Sequence, residues 1–287
     1  MKQMTIRGLK IYFKEKSTIF FSLLGVLIIW FLFVFFLGDQ MESGFVGVSN
    51  ADEIVSSWVV AGMLAACSVT TSLGAYGVMV EDKTNKCIKD FYSSPLKRSD
   101  IAAGYMITGI VVSFIMSCAT LILGEIYIVT NGGSLIYGTV LVQVFGIMLL
   151  SSFSSSALVC FIVTFVKNVN TFVTISVSLG TLVGFLIGAY IAIGSLPVGI
   201  QWVIKLFPPS HSAVIYRQLL MDGPMAEGIG NTPVGTQTLA EIKELLGVTF
   251  TYGTYVCEMW VHVLVLFLSG ILFYGLAILK MSLKTKN

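Results

Sequence analysis

The sequence predicts an all-α polytopic membrane protein with six transmembrane helices, an N-terminal interfacial helix and an external re-entrant hairpin before the last span. Three observations carry this prediction. Of 287 residues, 56% are apolar and only 11% charged, against roughly 45–50% and about 25% in a soluble domain, and mean hydropathy is +0.90. The few charges cluster between apolar runs. Those runs have the length that a bilayer demands, since a hydrocarbon core of about 30 Å takes around 20 helical residues.

Counting charge-free runs gives spans at Thr18 to Leu37, Ile54 to Val80, Ile101 to Val129, Tyr137 to Val166, Thr171 to Ile193 and Glu258 to Leu279. Each must be helical, because open strands in lipid would leave amides unpaired. The first follows a basic start, as a secretory signal does. Its charge-free stretch is longer than such a signal's apolar region and no small-residue cleavage site follows, so a retained span is expected. The fourth and fifth spans meet at Lys167-Asn168-Val169-Asn170. Together the spans form one transmembrane domain over residues 1–287.

Basic residues set the orientation, because Lys and Arg near span ends stay on the cytoplasmic side. The N-terminus, the second connection, the fourth connection and the C-terminus hold fourteen of the seventeen. The remaining three, Lys205, Arg217 and Lys243, are diluted over a long fifth connection, and the first external loop carries only Asp39, Glu42, Asp52 and Glu53. Both termini are therefore expected in the cytoplasm. A net charge of +2 is too small to draw a nucleic-acid partner.

Residues 1–17 place Arg7, Lys10 and Lys14 on one helical face and Ile6, Leu9 and Phe13 on another, the pattern of a helix lying among lipid headgroups. The second connection, 81–100, reads EDKTNKCIKDFYSSPLKRSD. Ile88, Phe91 and Tyr92 fall at i, i+3, i+4, so a short helix there presents one apolar patch among charges. Ser93-Ser94-Pro95 ends it, and Ser99 with Asp100 restarts the next span. A socket on a partner protein and the chain's own bundle are equal candidates to receive the patch.

The fifth connection, 194–257, begins with two apolar pieces of about ten residues around Pro208-Pro209, each too short to cross. A re-entrant hairpin is expected, followed by a Gly- and Pro-rich external loop from Asp222 to Thr238. Gly180, Gly184 and Gly188 form an i+4 stripe fit for close helix packing, within the chain or in a dimer. Ser151, Ser152, Ser154, Ser155 and Ser156 either line a polar path or bond their own helix carbonyls. Glu125, Glu258 and His262 are the ionisable groups nearest the lipid zone, and Glu258 and His262 share a face at i, i+4. Five scattered cysteines without CxxC spacing read as free thiols.

Several function classes lack their residues. No Gly-Lys dipeptide occurs, so there is no phosphate loop for ATP. No HExxH occurs and the only histidines are His211 and His262, which leaves a zinc protease without ligands. No inverted repeat with midplane charges marks a secondary transporter. That class and a membrane-embedded sensor or immunity protein remain the alternatives to a permease driven by another chain.

At this point the sequence resembles the ABC-2 type exporter permeases, a family that includes drug-resistance (daunorubicin-type) subunits. The resemblance rests on the amphipathic start and six spans, on EDK followed by DFYSSPLKRSDIAAGY, and on LPVGIQWVIKLFPPSHSAVIYRQLL before the last span. The family's Glu-x-x-x-Gly-Thr is here Glu81-Asp82-Lys83-Thr84-Asn85-Lys86-Cys87, without the Gly-Thr. The resemblance implies a permease with no enzymatic activity of its own in a bacterial plasma membrane. It also implies a homo- or heterodimer docked on cytoplasmic ABC ATPase subunits that bind ATP and Mg, with no cofactor on this chain. On that reading Ile88, Asp90, Phe91, Tyr92, Pro95 and Arg98 couple to the ATPase. Gly180, Gly184, Gly188, Glu125, Glu258 and His262 are candidates for the pathway or its packing.

Overall fold

The computed structural model describes residues 2–45, 48, 50–87, 90–91, 98–229 and 235–283, and within them the chain is almost entirely helical. In order come α1 (Lys2–Lys14), α2 (Lys16–Leu32) with a π-helical turn Phe33–Leu37, α3 (Gly38–Glu42), α4 (Ala51–Thr84), α5 (Arg98–Thr130), α6 (Gly138–Thr164) and α7 (Val169–Leu186). They are followed by α8 (Val198–Leu206), α9 (Pro208–Gly228), α10 (Gly235–Leu245), a small hairpin of β1 (Thr251–Tyr252) and β2 (Tyr255–Val256), and α11 (Met259–Leu283). Six helical segments are long and apolar enough to cross a membrane: Lys16–Leu37, Ala51–Thr84, Asp100–Thr130, Gly138–Thr164, Val169–Leu186 and Met259–Met281. With an even number of spans, both chain ends lie at one end of the bundle, called the termini end below; the other is the far end.

The hub is α4. Its apolar window is wholly buried, because Ala, Gly, Ser and Thr recur along it and let α1, α2, α5, α6, α7 and α9 approach. Trp58, Leu64, Tyr76 and Met79 fill the space between. By contrast, α7 has only 11% of its window buried; it leans on α4 and α2 and leaves the rest of its surface uncovered.

Helix α1 keeps an outward apolar face and adds a second one that the sequence reading did not include. Its buried stripe is Met4, Gly8 and Tyr12, while Ile6 and Phe13 are exposed. The reason is close packing on α5: a Cβ at Gly104 would lie 2.5 Å from the Met4 Cβ, and one at Gly8 would lie 2.7 Å from the Thr108 hydroxyl. Tyr12 completes the stripe with a 2.6 Å hydrogen bond to Ser22 of α2. The helix therefore carries two apolar stripes, one on protein and one outward.

The fifth span ends earlier than Ile193. Helix α7 stops at Leu186, and Gly188 takes φ +68, a left-handed conformation that glycine adopts without strain. The hairpin arms are also unequal. Pro208 stands at the first position of α9, where a missing amide costs nothing, and α9 runs through Pro224 to Gly228. The expected loop from Asp222 is thus helical for its first two turns, and its central part lies outside the described residues. Asn50 donates to the Pro224 carbonyl at 2.7 Å, which ties the end of α9 to the start of α4.

Candidate functional site

At the termini end a charged node joins three helices. Arg7 of α1 donates from both terminal nitrogens to Asp82 of α4, at 2.7 and 2.8 Å, and Tyr105 of α5 donates to the same carboxylate at 2.6 Å. Asp82 sits in the last turn of α4, the end of a helix where a carboxylate is disfavoured. The fork from Arg7 and the phenol offset that. In return the hydrogen bonds to Asp82 raise the Arg7 pKa above its ordinary value, against a lowering by burial.

The node is also the root of the 81–100 connection. The Phe91 ring lies 5.1 Å below the Arg7 guanidinium, half-buried and packed on the bundle. For Phe91 the described contact is thus to the chain's own α1. Asp90 is exposed beside it. Ile88, Tyr92 and Pro95 lie outside the described residues, as does the side chain of Arg98, the first residue of α5. Sequence reasoning found the connection but missed Arg7, Asp82 and Tyr105 as one unit.

Along the uncovered flank, α2, α4 and α7 enclose an apolar groove of about 920 Å³. It runs from Glu15 and Glu81 at the termini end to Tyr190 and Ile191 at the far end, with Thr70 and Gly180 midway. The predicted glycine stripe does not act as one surface. Gly180 faces open space, Gly184 receives the Tyr190 ring of its own chain, and Gly188 has left the helix to make the turn.

The far end is closed by the fifth connection. Arg217 of α9 is fully buried; it donates to the Gly188 carbonyl at 2.7 Å, to Gly247 at 3.3 Å and to Ile187 at 3.4 Å. Its guanidinium stands 4.9 Å from the Trp58 ring, and the Trp58 indole donates to Leu246 at 2.8 Å. One side chain thereby caps the C-terminal ends of α7 and α10. Glu125 accepts from the Ile136 amide at 3.0 Å, and Glu53 accepts from the amide and hydroxyl of Ser134 at 2.9 and 2.7 Å, so these two acids brace the loop between α5 and α6. Glu258 and His262 do not pair. Glu258 is exposed and accepts from Trp260, whereas His262 turns inward to His211 of α9, 2.7 Å away.

A family model described as ABC-2 family transporter protein matches residues 46–279. The chain belongs to the ABC-2 transporter family. No individually curated protein matches it. It is a multi-pass membrane permease of an ABC-type transporter, and the matched span takes in every helix from α4 through nearly all of α11. The family is one of transmembrane transport subunits and is not itself catalytic. The amphipathic α1 and all of α2 and α3 lie before the matched residues, yet α1 supplies the Arg7 half of the node.

Within the permease, the serines of α6 do not bond their own helix carbonyls. They are buried and bond across to other helices: Ser155 and Ser151 to Ser68 at 2.8 and 3.1 Å, Ser152 to Ser113 at 3.1 Å, and Ser154 to Ser269 at 2.9 Å. Ser156 receives Tyr274 at 2.9 Å and bonds Tyr76 at 3.1 Å. In lipid such interhelical bonds hold spans together at about 0.6–2 kcal/mol each. The five cysteines are free thiols, three of them buried.

Proposed function

We propose that this permease works as a dimer on separate cytoplasmic ATPase subunits in a bacterial plasma membrane, with both chain termini inside and export as its direction. The observation that carries the reading is the Arg7–Asp82–Tyr105 node at the root of the 81–100 connection. A connection loaded with charges, joined through Phe91 to α1 and through Asp82 to the central span, is built to pass a push from a docked protein to the helices that line the groove. Glu81, one residue before Asp82, is itself on the groove wall. A movement of the node therefore moves the mouth of the groove.

In this reading the groove between α2, α4 and α7 faces its counterpart in the second permease and the substrate passes between them. Its weak cover supports that: α2 and α7 have the least buried windows of the six spans. ATP and Mg are held by the partner ATPase, and hydrolysis there supplies the work. Isolating the tagged permease from its native membrane, with identification of every chain that comes with it, tests the assembly. A soluble chain bearing a phosphate loop, in equal amount, is expected. Recovery of the intact, folded permease alone from mild detergent would overturn it.

A further inference from the structure

We propose that the buried His211–His262 pair is a proton-operated latch that ties the far-end hairpin α8–α9 to the last span and releases it on taking up one proton. Three helix ends meet there. His211 lies in the first turn of α9, His262 in the first turn of α11, and the Lys205 carbonyl at the C-terminal end of α8. Both rings are almost wholly buried, 4% and 0% exposed.

The hydrogen bonds fix the proton positions of the neutral pair. A carbonyl only accepts, so His211 Nε2 carries a proton and donates to Lys205 O at 2.9 Å. His211 Nδ1 is then a bare lone pair, and His262 Nδ1 donates to it across 2.7 Å. This leaves His262 Nε2 unprotonated, buried and without a partner. It is the one open position of the relay, and a proton entering the pair goes there. The new N–H would meet no acceptor in the closed arrangement.

The surroundings oppose the imidazolium. Both histidines stand at helix N-termini, the positive ends of helix dipoles, and burial lowers the affinity of His211 for a proton. On α8, Lys205 adds a second cation; it donates to Thr251 O at 2.6 Å and stands 6.0 Å from the Phe250 ring, which packs 5.5 Å from both imidazoles. The nearby acids are engaged elsewhere: Glu258 by Trp260, Glu244 of α10 by Thr251, and Glu53 of α4 by Ser134. Asp52 is exposed. Arg217 of α9 is turned to Gly188 and Gly247, Tyr252 and Cys257 of the β hairpin are neutral, and α6 carries no charged residue. With no carboxylate to receive it, a charged His262 is stabilised only by swinging toward water, which parts α11 from the hairpin. In the orientation proposed above that water is outside the cell, so an acidic exterior opens the latch.

The test is a distance. Nitroxides are placed on Val203→Cys of α8 and Leu264→Cys of α11, both exposed positions, in the full chain with its five native cysteines replaced. Measured in lipid nanodiscs, where both faces meet the same buffer, the outcome does not depend on the proposed orientation or on any ATPase. One short distance is expected near neutral pH, with a second, longer population growing as the pH is lowered below the ordinary histidine range, to about 4. The variants His262→Phe and His262→Gln remove the open nitrogen and should give a distribution that no longer changes with pH. An unchanged single distance in the parent at both pH values would overturn the latch. So would a pH response that persists in either variant.

Discussion

Two arginine sites, one at each end of the bundle, solve the same problem in different ways. Arg7 meets a carboxylate with both arms of its fork and keeps 36% of its side chain exposed. Arg217 is fully enclosed and meets only carbonyls and an indole face. The first arrangement raises the guanidinium's pKa, through the Asp82 hydrogen bonds; the second lowers it to about 9, through burial. A fork whose guanidinium keeps an open edge to solvent can be broken and remade more readily than a wholly enclosed one, so it suits a joint that moves. A buried cation holding the ends of two helices cannot let go without stranding both, so it suits a fixed clamp. A moving joint at the termini end and, at the far end, a fixed hold of α9 on the ends of α7 and α10 follow from that difference.

The largest expected effect is at the clamp. Arg217→Met leaves buried carbonyls of α7 and α10 unpaired, and each costs about 1–3 kcal/mol, so a loss of roughly 3 kcal/mol is expected in SDS-induced unfolding. Arg217→Lys, with one point charge in place of a fork, should recover part of it. Next comes the joint. A double-mutant cycle of Arg7→Ala and Asp82→Ala should give a coupling of only about 1 kcal/mol, because the guanidinium is partly screened by solvent. A coupling as large as the Arg217 effect would erase the contrast. Of comparable or smaller size are the effects that separate two glycines of the predicted stripe. Gly188→Ala, at φ +68, should cost about 1–2 kcal/mol. Gly180→Ala, with nothing within 4 Å of the added carbon, should be neutral or stabilising by up to about 1 kcal/mol in the isolated permease.

The six spans were legible because a span announces itself by length alone: an uncharged run of some 20 residues has no other stable place. The clustered basic residues made their grouping into two ends legible too. What was not legible depends on partners far apart in sequence. Arg7 and Asp82 are 75 residues apart and His211 and His262 are 51 apart, and no local pattern links them. His262 was paired with Glu258 by helical spacing, but burial drew the ring inward. The Gly180, Gly184, Gly188 spacing was real, yet a glycine that ends a helix and one that lines it look alike in a sequence. Likewise, Pro224 marked a loop by composition, while packing of α9 on α4 carried the helix four residues past it. The Met4, Gly8, Tyr12 stripe at i+4 spacing was the one signal that could have been read, since a glycine between two larger residues points to a close helix crossing.

The central claim is that force enters through the 81–100 connection and reaches the spans by way of Phe91 and the Arg7–Asp82 node. Its most direct test is the ATPase rate of the purified permease–ATPase complex in nanodiscs, compared between the parent and Phe91→Ala. Removing the ring takes away its packing under Arg7, which should either free the ATPase from the permease or leave its rate indifferent to the permease's presence, with the chain still inserted and folded. A Phe91→Ala complex that stays assembled and hydrolyses ATP under the same permease control as the parent would contradict the account.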